Sequence, residues 1–333
     1  MRAFVLERYG KKRALALADV PIPTLRDDEV LVRVRAAGVN QLDSKIRDGE
    51  FKLILPYRFP VVLGHDVAGV VVDIGPRVQH VKVGDEVYAR LDDFRIGAFA
   101  EFAPVREASL APKPKGLTME EAASLPLVAL TAWQALVEKG KLEKGQKVFI
   151  QAGSGGVGTL AIQLAKHLGA TVATTTSATN VALVKSLGAD IVVDYRTQDF
   201  EDVLRDYDVV LNSQDGKTLE KSLRVLARGG KLISISGPPD AEFGRAIAAP
   251  AFVRLVMRLL SARIRRQAKR IEVAYSFLFM KADGSQLREI TRLVDAGAIR
   301  PVVDRVFPFE STNEAMAYVE AGRAKGKVVV KVK

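Results

Sequence analysis

Apolar and polar residues alternate along the first third of the chain, and then the period changes. In Val30-Leu-Val-Arg-Val-Arg-Ala36 the side chains of Val30, Val32, Val34 and Ala36 fall on one side of an extended segment, and Val67-Ala-Gly-Val-Val-Val-Asp-Ile74 reads as another strand. Gly75-Pro76 and Gly84-Asp85 supply turns. A compact, β-rich, barrel-like domain is expected there. From Leu125 onward, helical periods alternate with short apolar runs at Lys147–Ala152, Thr171–Thr176, Ile191–Tyr195, Asp208–Leu211 and Lys231–Ser236, with a sixth at Val273–Phe279. That alternation predicts a parallel, doubly wound sheet whose ligand lies beyond the C-terminal ends of the strands. A helix over Ser285–Ala296, a strand at Val302–Phe307, a helix near Asn313–Glu320 and a strand over Lys327–Val332 are expected to return to the first domain. The expected division is 1–124, 125–279 with a basic helical insertion at 240–272, and 280–333.

Between the first and second of these apolar runs lies Ala152-Gly-Ser-Gly-Gly-Val-Gly158, with three glycines at G-x-G-x-x-G spacing. A strand turning sharply into a helix there brings backbone N–H groups and the positive helix end up to a pyrophosphate. Gly153 permits the turn, Gly155 allows close approach, and Gly158 lets helix and sheet pack together. The following residues, Val157, Leu160, Ala161, Leu164, Ala165 and Leu168, share a helical face, and Gly169 ends it. Thr171–Thr176 then closes one βαβ unit. The expected cofactor contacts in the turn are Gly153, Ser154, Gly155, Gly156, Val157 and Gly158.

Composition narrows the chemistry. The 333 residues are 48% hydrophobic and contain no cysteine, which removes disulfides, thiol nucleophiles and any zinc site built on a thiolate. The start of the chain lacks an apolar run of signal-peptide length and no segment has the apolar length of a membrane span, so cytoplasmic residence is expected. The net charge of +11 is concentrated: Arg245, Arg254, Arg258, Arg263, Arg265, Arg266, Lys269 and Arg270 lie between Glu242 and Glu272 with no acid among them. No specific nucleic-acid partner is therefore expected.

The segments Gly38-Val-Asn-Gln-Leu-Asp43, Gly64-His-Asp-Val-Ala-Gly69, Val83-Gly-Asp-Glu-Val87, Ala122-Ala-Ser-Leu-Pro126 with Thr131-Ala-Trp133, the glycine turn, Ser186-Leu-Gly-Ala-Asp190 with Asp194-Tyr195, and Gly326-Lys327 together resemble one family. It is the zinc-independent quinone oxidoreductase and alkenal/enone reductase branch of the medium-chain dehydrogenase/reductase superfamily. The resemblance implies a central Rossmann domain and a β-rich, chaperonin-10-like catalytic domain. It implies an NADPH-dependent, metal-free reductase of quinones or of the C=C bond of α,β-unsaturated carbonyls. A non-catalytic NADPH-binding regulatory or RNA-binding protein on the same fold is the alternative. Zinc-dependent relatives carry a ligand cysteine where this chain has Asn40 and a ligand histidine matching His65. His65 with Asp66 or Asp43 could hold a metal, or His65 is a packed, hydrogen-bonded side chain.

Without a metal, an acceptor oxygen that gains negative charge needs a nearby donor. The resemblance sets Asn40 beside the nicotinamide as a polar contact; the residue type alone equally suits a turn. Tyr57 is a second candidate, either as donor or stacking ring or as simple packing. Thr131 resembles a family threonine that contacts the nicotinamide, and a hydroxyl bonding its own helix is the other reading. Asp43 is expected to orient its loop.

An NAD-preferring unit ends its second strand with an acid, whereas here the end reads Thr174-Thr-Thr-Ser177-Ala-Thr-Asn180. NADPH is expected. The resemblance adds Ser177, Tyr195 and Arg196 on the phosphate side and Lys327 as a further cofactor contact, with Asn180 standing where many relatives have lysine. Residues 251–266 read as one arginine-rich amphipathic helix carrying Phe252, Val256, Leu259 and Arg263 near one another. It serves as a lid, a subunit contact, a weak anionic-membrane contact through 251–270, or a solvated cover. A homodimer paired through the edge strand at Val273–Phe279 is expected.

Overall fold

The computed structural model describes residues 1–332. The chain divides into two compact units, residues 1–130 with the chain from Lys281 onward, and Thr131–Met280.

The first unit is built on a seven-stranded sheet ordered Val303–Pro308, Lys327–Lys331, Glu29–Val39, Asp66–Ile74, Glu86–Arg90 and Leu110–Pro112, with Phe102–Arg106 paired to Glu29–Val39. The alternating valines of the long strand are all fully buried at Val30, Val32 and Val34. Leu31 is covered as well, so the sheet is packed on both faces near its start. The last strand lies antiparallel against this one, with Val328 opposite Val39 and Lys331 opposite Ala36. That pairing carries Lys327 to the end of the strand from which Asn40 emerges, although 287 residues separate the two. A smaller sheet orders Ala16–Asp19, Arg2–Leu6 and Val61–Val62.

The second unit holds a six-stranded parallel sheet in the order Ile191–Asp194, Thr171–Thr176, Lys147–Ile150, Tyr207–Asn212, Leu226–Ser234 and Ala274–Phe277. The strand order reverses on either side of Lys147–Ile150, and this reversal opens a crevice at its C-terminal end. The glycine turn begins there. Phe149, Val210 and Leu232, all fully buried, form the core between sheet and helices.

Residues 251–266 depart from the expectation of one helix. Two helices occur, Ala251–Leu260 and Ala262–Arg270, parted at Ser261. The Ser261 hydroxyl donates to the Met257 carbonyl at 2.8 Å, and the turn re-aims the second helix so that Ile264 and Ala268 enter the core of the parallel unit. The helix Pro126–Trp133 also continues into one wide π turn, Gln134–Lys139, that periodicity did not indicate.

Candidate active site

In the first unit a polar network is closed off from water. Asn40 ends the long strand and precedes the helix Gln41–Asp48; its N–H donates to the Asp43 carboxylate at 2.8 Å, which fixes the first helical turn. The Asn40 amide group then joins two further residues. Its Nδ2 donates to Asp66 Oδ2 at 3.0 Å and to the Gly38 carbonyl at 3.3 Å, while its Oδ1 accepts from Lys327 Nζ. Lys327 Nζ also donates to the Val39 carbonyl at 3.0 Å and stands 3.5 Å from Asp66 Oδ2. Asp66 is fully buried, and its second oxygen accepts the Leu127 N–H at 2.8 Å. Burial pushes the Asp66 carboxyl up and the Lys327 ammonium down, more strongly than their mutual attraction opposes. Both shifts move the pair toward its neutral forms.

Beside this network His65 Nδ1 lies 2.6 Å from Asp43 Oδ1, with both side chains fully buried. Its other ring nitrogen, Nε2, is buried without a hydrogen-bond partner. Asp43 thus ties the helix start to the histidine. The sequence placed His65 with Asp43 or Asp66 and read Asn40 and Lys327 separately; Asn40 and Asp66 meet through the pairing of their own strands, and Lys327 is added by the pairing of the last strand.

Tyr57 is bonded outside this network. Its hydroxyl donates to the Asp93 carbonyl, its backbone N–H donates to the Tyr9 hydroxyl at 3.0 Å, and its ring lies 6.5 Å from that of the exposed Phe94. Burial, with Asp93 nearby, pushes the phenol up. What Tyr57 presents is a ring edge beside Phe94, while its proton is committed internally.

In the second unit the glycine turn has little slack. A Cβ on Gly153 would lie 2.2 Å from Thr174 Oγ1, and one on Gly158 would lie 2.4 Å from the Ala152 carbonyl oxygen and 2.6 Å from Gly153 Cα. A Cβ on Gly155 would meet only the Ala152 oxygen, at 3.3 Å, so its outer side is open. Ala152 is forced to φ +52°, a left-handed conformation that costs an L residue about 1–2 kcal/mol. The helix Gly156–His167 that follows has no capping side chain at its start. Its first amides therefore lack the acceptor that a Ser, Asp or Asn cap provides.

Past the end of Thr171–Thr176, hydroxyls cluster about the Asn180 amide, with Asp194 opposite Thr176 in the next strand and its carboxylate accepting the Arg196 N–H at 3.1 Å. Ser154 Oγ accepts from Thr176 Oγ1 at 2.9 Å and from Asn180 Nδ2 at 3.3 Å, and the same Nδ2 donates to Ser177 Oγ at 3.3 Å. Asn180 Oδ1 is buried with no partner. Tyr195 is 60% exposed, with the Arg196 guanidinium 6.0 Å from its ring centroid. Thr131 is buried in the helix Pro126–Trp133.

Residues 26–115 match the family model for the alcohol dehydrogenase GroES-like domain, and residues 187–330 match that for zinc-binding dehydrogenase. A mitochondrial NAD(P)H oxidoreductase RTN4IP1 of Danio rerio is 36% identical over 355 residues, covering 100% of this chain and 91% of the relative. The chain belongs to the quinone oxidoreductase branch of the medium-chain dehydrogenase/reductase superfamily. A chloroplastic NADPH-dependent alkenal/one oxidoreductase of Arabidopsis thaliana is also 36% identical, over 99% of this chain and 79% of the relative. Among solved structures, the quinone oxidoreductase of Coxiella burnetii matches with a TM-score of 0.87 at 31% identity, covering 100% of this chain and 99% of that one.

The second family description raises the question of zinc, and the donor set does not fit it. The chain has no thiolate, and among the described residues no group of three or more His, Asp or Glu side chains is placed to hold a metal ion. Where zinc relatives carry a ligand cysteine, Asn40 here bonds a lysine and an aspartate.

Proposed function

We propose that this protein is an NADPH-dependent, metal-free reductase that transfers hydride to quinones or to the C=C bond of α,β-unsaturated carbonyls. The observation that carries the reading is the glycine turn: a strained strand-to-helix turn, open at Gly155 and uncapped at the helix start, beside the hydroxyls of Ser154, Thr176 and Ser177. These features fit a dinucleotide phosphate. The amides of residues 156–158 and the backbone about Gly153, Ser154 and Gly155 would hold its pyrophosphate, with Val157 beginning the helix. Ser177, Tyr195 and Arg196 would meet the 2′-phosphate, with the Asn180 amide holding the Ser154 and Ser177 hydroxyls beside it. The names of similar proteins support the same chemistry: the Arabidopsis relative is called an NADPH-dependent alkenal/one oxidoreductase and the Coxiella protein a quinone oxidoreductase.

When bound, NADPH supplies the hydride. The chain's part is to place the acceptor and exclude water. Lys327 acts on the cofactor side through Asn40, whose carbonyl it holds; Asn40 in turn faces the acceptor with an orientation set by Asp66 and Asp43. Tyr57 contributes a ring wall with Phe94 for a flat acceptor, and Thr131 a hydroxyl toward the nicotinamide. Three further assignments complete the reading: cytoplasmic residence, a homodimer paired along the free edge of Ala274–Phe277, and a contact with anionic lipid through 251–270. Light scattering of the eluted protein at twice the chain mass supports the dimer; a monomer rejects it.

The deciding experiment follows NADPH and NADH oxidation with 1,4-benzoquinone, 9,10-phenanthrenequinone, 2-alkenals and 3-buten-2-one. Turnover of at least one class, faster with NADPH and unchanged by EDTA, is expected. Tight NADPH binding without turnover on any acceptor, or activity lost to EDTA and restored by zinc, contradicts the proposal.

A further inference from the structure

The helix Ala251–Leu260 turns its apolar side to solvent. Only Met257 on it is buried, whereas Phe252 is 70% exposed, Leu255 56%, Leu259 65% and Leu260 60%. At 100° per residue, Phe252, Leu255 and Leu259 point directly away from Met257. Arg254 and Arg258 line one flank of this face. After Ser261 the second helix, Ala262–Arg270, adds exposed cations. Arg263 pairs with Glu220 at 3.2 Å, but among the described residues Arg254, Arg258, Arg265, Arg266, Lys269 and Arg270 have no acidic partner.

A surface that is apolar at its crest and cationic along one flank needs an occupant with the opposite arrangement. A second copy of the same face brings like charges together. A nucleic-acid backbone answers the arginines and leaves the crest against phosphates. A bilayer with acidic headgroups answers both, with phosphates at the surface and acyl chains beneath them. The helix is far too short to cross, about 15 Å against a hydrocarbon core of about 30 Å. No helix among the described residues is long and apolar enough to do so.

We infer that this helix pair seats the protein on acidic phospholipid, with Phe252, Leu255 and Leu259 entering the headgroup–acyl boundary and the arginines of Ala262–Arg270 binding headgroup phosphates. The inference rests on the lipid contact proposed above and not on the hydride chemistry. The break at Ser261 divides the work: the first helix inserts, and the second reads charge.

The test sediments the full chain with vesicles of phosphatidylcholine alone and with phosphatidylserine added, alongside F252S/L255S/L259S and R265Q/R266Q/R270Q. Binding to the acidic vesicles only is expected. The arginine variant should lose about a hundredfold in partitioning, at roughly fivefold for each cation, and the apolar variant about tenfold or more. Both should keep wild-type NADPH oxidation, which shows that they fold. No binding to acidic vesicles at low salt overturns the inference, as does undiminished binding by the apolar variant. Polyuridylate binding tighter than vesicle binding and untouched in the apolar variant assigns the surface to nucleic acid and overturns it too. Altered oligomeric state in the apolar variant with unchanged vesicle binding assigns the crest to a second copy. Vesicle binding by a protein that turns over no acceptor leaves this inference standing and removes the reductase proposal.

Discussion

The two polar clusters, one in each unit, are built to opposite plans. Around Asn40 nearly every donor meets an acceptor: the amide, Lys327, Asp66 and Asp43 are interlocked and dry, with His65 Nε2 as the exception. Around the glycine turn the helix start is uncapped, an Asn180 oxygen is orphaned, and Ala152 holds a strained φ. A closed network resists distortion, because removing one buried charge strands its partner. An open one keeps backbone groups unpaired at a cost that only a ligand offsets. The first plan suits a fixed wall for a reacting acceptor; the second suits a seat for an anionic cofactor.

Substitutions sharpen that contrast in order of expected size. G158V should have the largest effect, because its Cβ would meet the backbone of Ala152 and Gly153 at 2.4 and 2.6 Å. NADPH affinity should fall by about a hundredfold or more in fluorescence titration. If G158V binds as the wild type does, the turn is not the seat. Next comes K327M, which strands Asp66 and should cost about 3 kcal/mol in urea unfolding near neutral pH. The sign of its pH dependence follows from the raised Asp66 carboxyl. A carboxyl that binds its proton more tightly in the folded state loses stability for the fold as pH rises above about 4, the unfolded value. The cost of K327M should therefore shrink on acidification toward about pH 5. A cost that stays level or grows there contradicts a charge stranded on Asp66.

G155A is the control for the open turn. Its Cβ would meet only one atom at 3.3 Å, so thermal stability should hold while NADPH affinity drops by about tenfold, the worth of one impaired hydrogen bond. Equal loss of stability and binding would mean that Gly155 is a packing residue like Gly158. The smallest effect belongs to Y57F. Because the Tyr57 hydroxyl donates to the Asp93 carbonyl, its removal should cost about 1 kcal/mol of stability and change kcat by less than about threefold. A drop of a hundredfold in kcat would make the phenol a proton donor to the acceptor.

Local pattern predicted these units unevenly. The valines at positions 30, 32 and 34 gave the central strand of the first sheet, and the glycine spacing gave the switch point of the second, because both are properties of a few consecutive residues. The break at Ser261 escaped notice since no Gly or Pro marks it; a serine hydroxyl bonding back to Met257 leaves the helical period intact. The wide turn Gln134–Lys139 likewise has no composition of its own. The largest omission was the assembly of the first polar cluster. Asn40 and Asp66 meet through the pairing of neighbouring strands 26 residues apart, but Lys327 joins them only through strand pairing across 287 residues, and a single sequence carries no record of register at that range.

The central claim is tested most directly by a crystal structure of the protein with NADPH. The account predicts pyrophosphate density against the amides of residues 156–158, the 2′-phosphate beside Ser177 and Asn180, and no ion at His65. Coenzyme lying away from residues 153–158, or a metal ion bound by His65 with Asp43 or Asp66, would contradict it.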